Sequence, residues 1–295
     1  MSLRAPSVLV ALLLSALATL LVAGCAKPAL LPERAVTLNR EGTEAFARED
    51  LVGAEARFAL ALEYHPSFTE AHVNLGLVAL RRGAFGDAER HFRKARSLNP
   101  DLPVPHHALG SLAERRFEFG PAERHYEAAL AVDPGFLPAR LDVARLYFRR
   151  HAFDQARAAF ERLVVLAPDL PAAHTGRIET LLAEGRSTDA SEAVLRAREH
   201  AGTSPELDLL DARARISDRG TSTDDRASAR ALLESLTTSP VAGRAYAWIA
   251  VLDAEEGDVP AARKHAARAL VLAPEDEVGL WIRSRVDPKG PSNRN

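Results

Sequence analysis

Small, aromatic and proline positions recur along the chain at one fixed interval. An alanine is followed four residues later by an aromatic ring in four successive pairs, Ala54 and Phe58, Ala88 and Phe92, Ala122 and Tyr126, and Ala156 and Phe160. A proline follows each pair, at Pro66, Pro100, Pro134 and Pro168, and the same step separates Pro240 from Pro274. Self-similarity at one fixed period indicates stacked copies of a single supersecondary unit.

Each interval is predicted to hold two helices joined by a turn. Ala, Leu and Arg dominate the stretches between the prolines, and aromatic residues make up only 6% of the chain, which favours helices over strands. A small residue lies twelve positions before each recurring alanine, at Gly42, Gly76, Gly110 and Ala144. Small residues at these places let two helices cross closely, so the sequence predicts an all-α chain.

The second interval carries the clearest pattern, which reads His72-x₂-Leu75-Gly76-x₂-Ala79, then Ala88-x₃-Phe92, then Pro100. This order resembles the tetratricopeptide repeat, a helix-turn-helix unit with a period of about 34 residues. His72 and His106 stand where that family usually has tryptophan. The resemblance implies a right-handed superhelical solenoid of about seven repeats, closed by a C-terminal capping helix.

The repeat register divides the chain into segments. We expect four well-formed repeats over residues 35–170, two degenerate repeats over 171–242, one further repeat over 243–276, and a capping helix with a polar tail over 277–295. The separation of Pro168 from Pro240 exceeds two repeat intervals, so two repeats fit between them only if four residues are inserted. The Gly, Thr, Ser and Asp residues of Ser217–Arg226 make this segment the predicted place of the insertion.

The segment over residues 1–24 has the pattern of an export signal. Arg4 precedes an apolar run over Val8–Val22, and small residues follow the run. The run has about 15 residues, fewer than the roughly 20 that a membrane-spanning helix needs. A removable signal is therefore favoured over a permanent transmembrane anchor.

The sequence Val22-Ala23-Gly24-Cys25 resembles the lipobox of bacterial lipoproteins. The resemblance implies a signal peptide over residues 1–24, lipidation of Cys25 and a lipidated linker over residues 25–34. Ala26, in place of aspartate, implies sorting to the outer membrane, with the protein facing the periplasm. A short signal anchor that ends at a cysteine is the alternative.

Composition and motifs argue against several kinds of function. The 38 basic and 40 acidic residues give a net charge of -2, which lacks the basic surplus typical of nucleic-acid binding. One cysteine excludes a disulfide framework. The chain has no P-loop, G-x-S-x-G or H-E-x-x-H motif, so we expect no catalytic residues and no cofactor. Several histidines recur in the repeat register, which would hold them one repeat apart, and no metal site is expected.

The family resemblance also implies a partner-binding surface. In such proteins the first helix of each repeat lines a concave groove that takes an extended or helical peptide segment. The corresponding positions here are Asn39, Thr43, Phe46, Val73, Leu77, Leu80, His107, Ser111, Glu114, Leu141, Arg145, Phe148, Thr175, Glu179, Leu182, Leu209, Arg213 and Ile216. Some of the apolar residues among them could instead pack between repeats.

These features together predict a lipid-anchored adaptor that binds protein partners while a bacterial envelope complex assembles. Lipoproteins of this architecture include pilotin-like assembly factors of type IV pilus secretins and adaptors for peptidoglycan hydrolases, and the sequence does not choose between them. A self-oligomerising structural lipoprotein is the alternative, which a poorly covered last repeat would favour. A periplasmic enzyme is a third hypothesis, which a deep polar pocket in residues 171–242 would favour.

Overall fold

The computed structural model describes residues 31–287 except residues 219 and 221. The described residues form fifteen α-helices and no strand, which confirms the predicted all-α fold. The helices are α1 (Glu33–Ala47), α2 (Leu51–Tyr64), α3 (Thr69–Arg81), α4 (Phe85–Leu98), α5 (Pro103–Arg115), α6 (Phe119–Val132), α7 (Leu137–Arg149), α8 (Phe153–Leu166), α9 (Pro171–Ala183), α10 (Ser187–Ala201), α11 (Pro205–Ser217), α12 (Thr223–Ser235), α13 (Ala242–Glu255), α14 (Val259–Leu272) and α15 (Glu277–Val286).

The chain divides into two compact units, with the boundary between Leu112 and Ala113 inside α5. In the first unit, α1 packs on α2 and α3 packs on α4. In the second unit, α7 to α14 form four further helix pairs, and α15 packs on both α13 and α14. The last helix thus lies where a capping helix is expected, after the final helix pair. The signal peptide, Cys25 and the polar tail after Asp287 lie outside the described residues.

The recurring small and aromatic residues form the core of the repeats. All four recurring alanines are fully buried, and so are the rings of Phe58, Phe92 and Tyr126 within a margin of 1%. A side chain built on Gly42 would approach the Phe58 ring to 2.6 Å, and one on Gly76 would overlap the Phe92 ring. Phe92 also packs against Leu109 of the next helix pair. Each aromatic ring therefore joins two helices of one repeat and reaches the following repeat.

Each three-residue turn between the two helices of a repeat places one residue in the left-handed backbone region. Glycine occupies this place at Gly83, Gly185 and Gly257, with φ of 74°, 73° and 86°. Glycine adopts this region at little cost, because it has no Cβ. Phe117 and His151 hold the same conformation, with φ of 60° and 57°, and therefore carry backbone strain.

The degenerate part of the chain distributes its extra residues over two places. The turn between α11 and α12, residues 218–222, has five residues, whereas the other turns between described helices of one repeat have three. The connection between α12 and α13, residues 236–241, has six residues and contains a short 3₁₀ helix, Leu236–Thr238. The segment Ser217–Arg226 thus accounts for only half of the predicted insertion.

Among the described residues, no helix is both long enough and apolar enough to cross a membrane.

Candidate functional site

A cavity of about 390 Å³ lies in the second unit, along α7 and α9. We call it the α7–α9 cavity. Its lining residues are Glu114, Asp142, Arg145, Phe148, Arg149, Phe160, Ala172, Thr175, Gly176 and Glu179. Five of the predicted groove residues, Glu114, Arg145, Phe148, Thr175 and Glu179, therefore line one cavity. They come from three successive repeats, which makes this cavity the candidate site.

Helical spacing positions these side chains together. Phe148 and Arg149 lie three and four residues after Arg145, so both neighbour it on one face of α7. Thr175 and Glu179 are four residues apart on α9 and share a face in the same way. Between the two helices the Phe160 ring lies so close to Gly176 that no side chain would fit there. The wall formed by Phe160 and Gly176 is therefore apolar.

Most charged groups of the α7–α9 cavity are paired with one another. The guanidinium of Arg149 forms an ion pair with Glu114, which also accepts a hydrogen bond from the Tyr126 hydroxyl. Burial lowers the pKa of Arg149, which nevertheless stays charged because arginine has an intrinsic pKa above 12. Arg145 Nη1 lies 3.4 Å from Asp142 Oδ1. These two pairs leave Glu179 as the remaining charged group of the lining.

Glu179 is half-buried and has no hydrogen-bond or ion-pair partner among the residues that the structure describes. Burial raises the pKa of its carboxyl, an effect that the positive charge of Arg213 opposes and the negative charge of Glu206 reinforces. Arg244 and Arg145 also lower this pKa, but by less than burial raises it. The carboxylate is thus accessible from the cavity and poorly stabilised by its surroundings.

The neighbouring cations of α11 and α13 contact other side chains, and Arg213 Nε is buried without a hydrogen-bond partner. The Arg213 guanidinium lies over the Trp248 ring, 5.3 Å from the ring centre, and burial lowers the pKa of Arg213. Arg244 makes two hydrogen bonds to the Glu206 carboxylate, and this contact raises its pKa. Neither cation is in direct contact with Glu179, so both act on it only through space.

A second cavity, of about 340 Å³, lies near the C-terminal end of the second unit. Both tryptophans of the chain, Trp248 and Trp281, line it together with Ile216, Val251 and Val278. Neither tryptophan holds a place in the repeat pattern, so the pattern does not predict them as site residues. Their number, two in 295 residues, was the one available signal.

Three predicted groove residues are buried. Val73 is 7% exposed and Leu209 is fully buried, and Leu209 packs against Leu233 and Ile249 of the next two helices. Ile216 is 6% exposed and belongs to the same core cluster, although it also contributes to the wall of the second cavity. Leu209 thus packs inside the fold and Val73 is buried too, so neither side chain is open to a partner in this structure.

The remaining predicted residues do not form one common site. In the first unit, Thr43 is exposed, and the half-buried residues are Asn39, Phe46, Leu77, Leu80, His107 and Ser111. Asn39 Oδ1 accepts a hydrogen bond of 2.9 Å from the Asn74 side chain, which joins the first two repeats. In the second unit, Leu141 and Leu182 pack against the core and Arg213 against Trp248.

Histidines at the usual tryptophan place have a structural role. His72 Nε2 donates a hydrogen bond of 3.1 Å to the Pro66 carbonyl, and His174 Nε2 donates one of 2.7 Å to the Pro168 carbonyl. His72 Nδ1 also lies 3.4 Å from Nδ1 of His91, and burial lowers the pKa of both imidazoles. Within the described residues there is no group of three or more metal-ligating side chains.

Comparison with family models identifies tetratricopeptide repeats over residues 39–103 and residues 118–177. Among curated protein sequences, none matches this chain. The two matched ranges contain the first four recurring pairs of alanine and aromatic ring. They include α7 and the first half of α9.

Solved structures share the fold at low sequence identity. A tetratricopeptide repeat protein from Parabacteroides merdae is 17% identical with a TM-score of 0.66, and the match covers 86% of this chain and 99% of that one. PilF of Pseudomonas aeruginosa is 18% identical with a TM-score of 0.59, covering 70% and 91% of the two chains. PilW, described as a widely conserved type IV pilus biogenesis factor, is 19% identical with a TM-score of 0.60, covering 70% and 94%.

Proposed function

We propose that this tetratricopeptide-repeat protein is an adaptor of the bacterial cell envelope, which binds a segment of a protein partner at the α7–α9 cavity. The observation that carries the proposal is the convergence of five predicted groove residues from three repeats on one cavity. The cavity offers an apolar wall at Phe148 and Phe160 and charged groups beside it. Peptide segments are recognised by such combinations of apolar pockets and a few oriented polar groups.

The proposal includes a lipid anchor at Cys25 in the outer membrane, with the repeats facing the periplasm. It is supported by the lipobox-like sequence over residues 22–25 and by the apolar run before it. Several acyl chains give durable attachment, because each buried CH₂ contributes about 0.8 kcal/mol. The resemblance in fold to PilW makes a pilus or secretin complex the first assembly to examine, and the peptidoglycan machinery the second. The proposal assigns the protein no catalytic step.

Self-association is a second candidate, because the last helices expose apolar side chains. Val271 is 70% exposed, and Leu280 and Trp281 are each about half exposed. A last repeat that is covered only in part favours a structural oligomer.

Photo-crosslinking in intact envelopes tests the adaptor function. A photoreactive amino acid is placed at position 145, which is exposed beside the cavity, and at position 199, which is exposed on α10. We expect one discrete heterologous product from position 145, its loss in Phe148→Glu, and no such product from position 199. Only products between copies of the chain, unchanged by Phe148→Glu, would contradict the adaptor function and favour self-association.

A further inference from the structure

We propose that the α7–α9 cavity takes a cationic side chain, a lysine or an arginine, of the partner segment, and that Glu179 is its counter-ion. This inference rests on the proposed function and names the chemistry of the partner at the same site. The ligand is therefore a protein segment that carries a basic residue beside apolar ones.

The charged side chains that line the cavity favour a cationic ligand. Five charged side chains line the cavity, namely Glu114, Asp142, Arg145, Arg149 and Glu179. Arg149 is paired with Glu114 and Arg145 with Asp142, so these four charges compensate each other. One negative charge remains, and it lies on the one carboxylate of the lining that has no partner among the described residues. A cation in the cavity would meet a carboxylate with which no lining cation is paired, whereas an anion would find both lining cations already paired.

The described residues around Glu179 leave its carboxylate without a hydrogen-bond donor. Charged groups act on it from α7 through Arg145, from α11 through Arg213 and Glu206, and from α13 through Arg244. Glu206 and Arg244 form a salt bridge with each other, and Arg213 lies over Trp248. Arg213 Nε is itself buried without a hydrogen-bond partner, and no cation of the described residues donates a hydrogen bond to the Glu179 carboxylate. A half-buried carboxylate without a donor is costly, and a donor from a partner removes that cost.

The walls of the cavity suit the methylene stem of a lysine or arginine side chain. The Phe148 ring is half-buried on the α7 side, and the Phe160 ring lies against Gly176 on the α9 side. Lysine and arginine bury their methylene stems along apolar surface while the charged head meets a polar partner. A purely apolar side chain would fit the walls but would desolvate Glu179 further without supplying a donor.

Binding of a cation is linked to the ionisation of Glu179. Burial raises the pKa of this carboxyl in the free protein, and an adjacent cation favours the ionised form. Because protonated Glu179 offers no charge to the ligand, the affinity should fall as the pH decreases through the raised pKa of Glu179. We expect weaker binding at pH 5 than at pH 8, and the same affinity at both values in Glu179→Gln.

Selection from a phage-displayed library of random heptapeptides tests the proposal with three forms of the folded protein. These are the wild type, Glu179→Gln and the control Glu199→Gln, which changes an exposed carboxylate on α10. We expect enrichment of Lys and Arg next to apolar residues with the wild type and the control. Glu179→Gln should lose the basic preference and keep the apolar one. A selected lysine peptide should bind the wild type about tenfold more tightly than its norleucine counterpart, the ratio of one charge-assisted hydrogen bond.

The outcomes separate this inference from the proposed function. Apolar peptides selected without basic residues, or a basic preference that persists in Glu179→Gln, would overturn the role of Glu179 and leave the adaptor function standing. Selection that survives Phe148→Glu would show that peptides bind elsewhere, and would overturn both. The pKa of Glu179, followed by carboxyl ¹³C shifts, must decrease when the lysine peptide is added; an unchanged pKa would also overturn the inference.

Discussion

Three glycines of the α3–α4 hairpin differ in what an added methyl group, as in a substitution by alanine, would meet. At Gly76 the added Cβ overlaps the Phe92 ring. At Gly83 it meets no atom within 4 Å, but φ is 74°. At Gly86 the space is open and the backbone is helical. The three positions thus differ in packing and in backbone conformation, while the chemical change is the same.

We expect two of the three alanine substitutions to lower the free energy of unfolding and the third to raise it. Gly76→Ala should lower the free energy of unfolding by about 1 to 3 kcal/mol because of overpacking. Gly83→Ala should lower it by about 1 kcal/mol because of backbone strain. Gly86→Ala should raise it by up to about 1 kcal/mol, because alanine is the better helix former. Urea unfolding measures all three, and equal effects at the three positions would contradict the packing described for Phe92.

The His72–His91 pair makes stability depend on pH. Burial lowers the pKa of both imidazoles below their ordinary value of 6.5. The unfolded chain therefore takes up protons first, so stability decreases as the pH falls below about 6.5 and is fully present above it. We expect the loss of unfolding free energy between pH 7.5 and pH 5 to be smaller in His91→Asn than in the wild type. His200→Asn, at an exposed ring, is the control, and the same loss in all three proteins would refute this account.

At the scale of helices, buried carboxylates connect consecutive repeats in the second unit. Asp253 on α13 is 4% exposed, and it accepts hydrogen bonds from Arg230 at 2.8 Å and from His265 at 2.6 Å. Asp211 on α11 is 5% exposed and is bonded to Arg198 and Arg215. These polar contacts join consecutive repeats, as the buried aromatic rings do in the first four repeats.

Removal of the Asp253 carboxylate should be strongly destabilising. Asp253→Ala leaves His265 without its partner and Arg230 with only the exposed Glu256 carboxylate as an ion-pair partner, and we expect a loss of about 3 kcal/mol in the free energy of unfolding. Glu192→Ala is the matched control, because Glu192 forms an exposed pair with Arg196, and such pairs contribute at most about 1 kcal/mol. Thermal unfolding measures the difference. Equal shifts for the two variants would show that the network is not buried in solution.

Helix pairs followed from the sequence wherever the small and aromatic residues keep their spacing. Ala54 with Phe58 and Ala88 with Phe92 predicted both the helices and their contacts. The division of the insertion between residues 218–222 and 236–241 could not be predicted, because the separation of Pro168 from Pro240 fixes only the total number of residues. Asp253 and Asp211 were not recognised either, since a buried aspartate is identified by its tertiary partners rather than by its spacing.

At the scale of the whole molecule, part of the candidate site coincides with the groove positions that the resemblance to tetratricopeptide repeats implies. Arg145, Phe148 and Glu179 line one cavity, as the shared face of the first helices implies. Leu209 packs against the next two helices instead, and Val73 is buried. The missing partner of Glu179 could not be predicted, since it depends on which of the surrounding charges pair with each other.

The anchor proposed at Cys25 has a direct test. The chain contains a single cysteine, so Cys25→Ala should abolish incorporation of radiolabelled palmitate. Ser7→Ala, which changes the signal region but keeps the cysteine, is the control and should remain labelled. A wild-type protein that is bound to the membrane but takes up no palmitate would contradict a lipid anchor and favour an uncleaved signal anchor.

The measurement that tests the central claim most directly is hydrogen exchange of the protein with and without a saturating lysine-containing heptapeptide from the display selection. The account predicts slower exchange confined to α7 (Leu137–Arg149) and α9 (Pro171–Ala183), and its disappearance in Phe148→Glu. Protection confined to α13 and α15, around Trp248 and Trp281, or no protection at all, would contradict binding at the α7–α9 cavity.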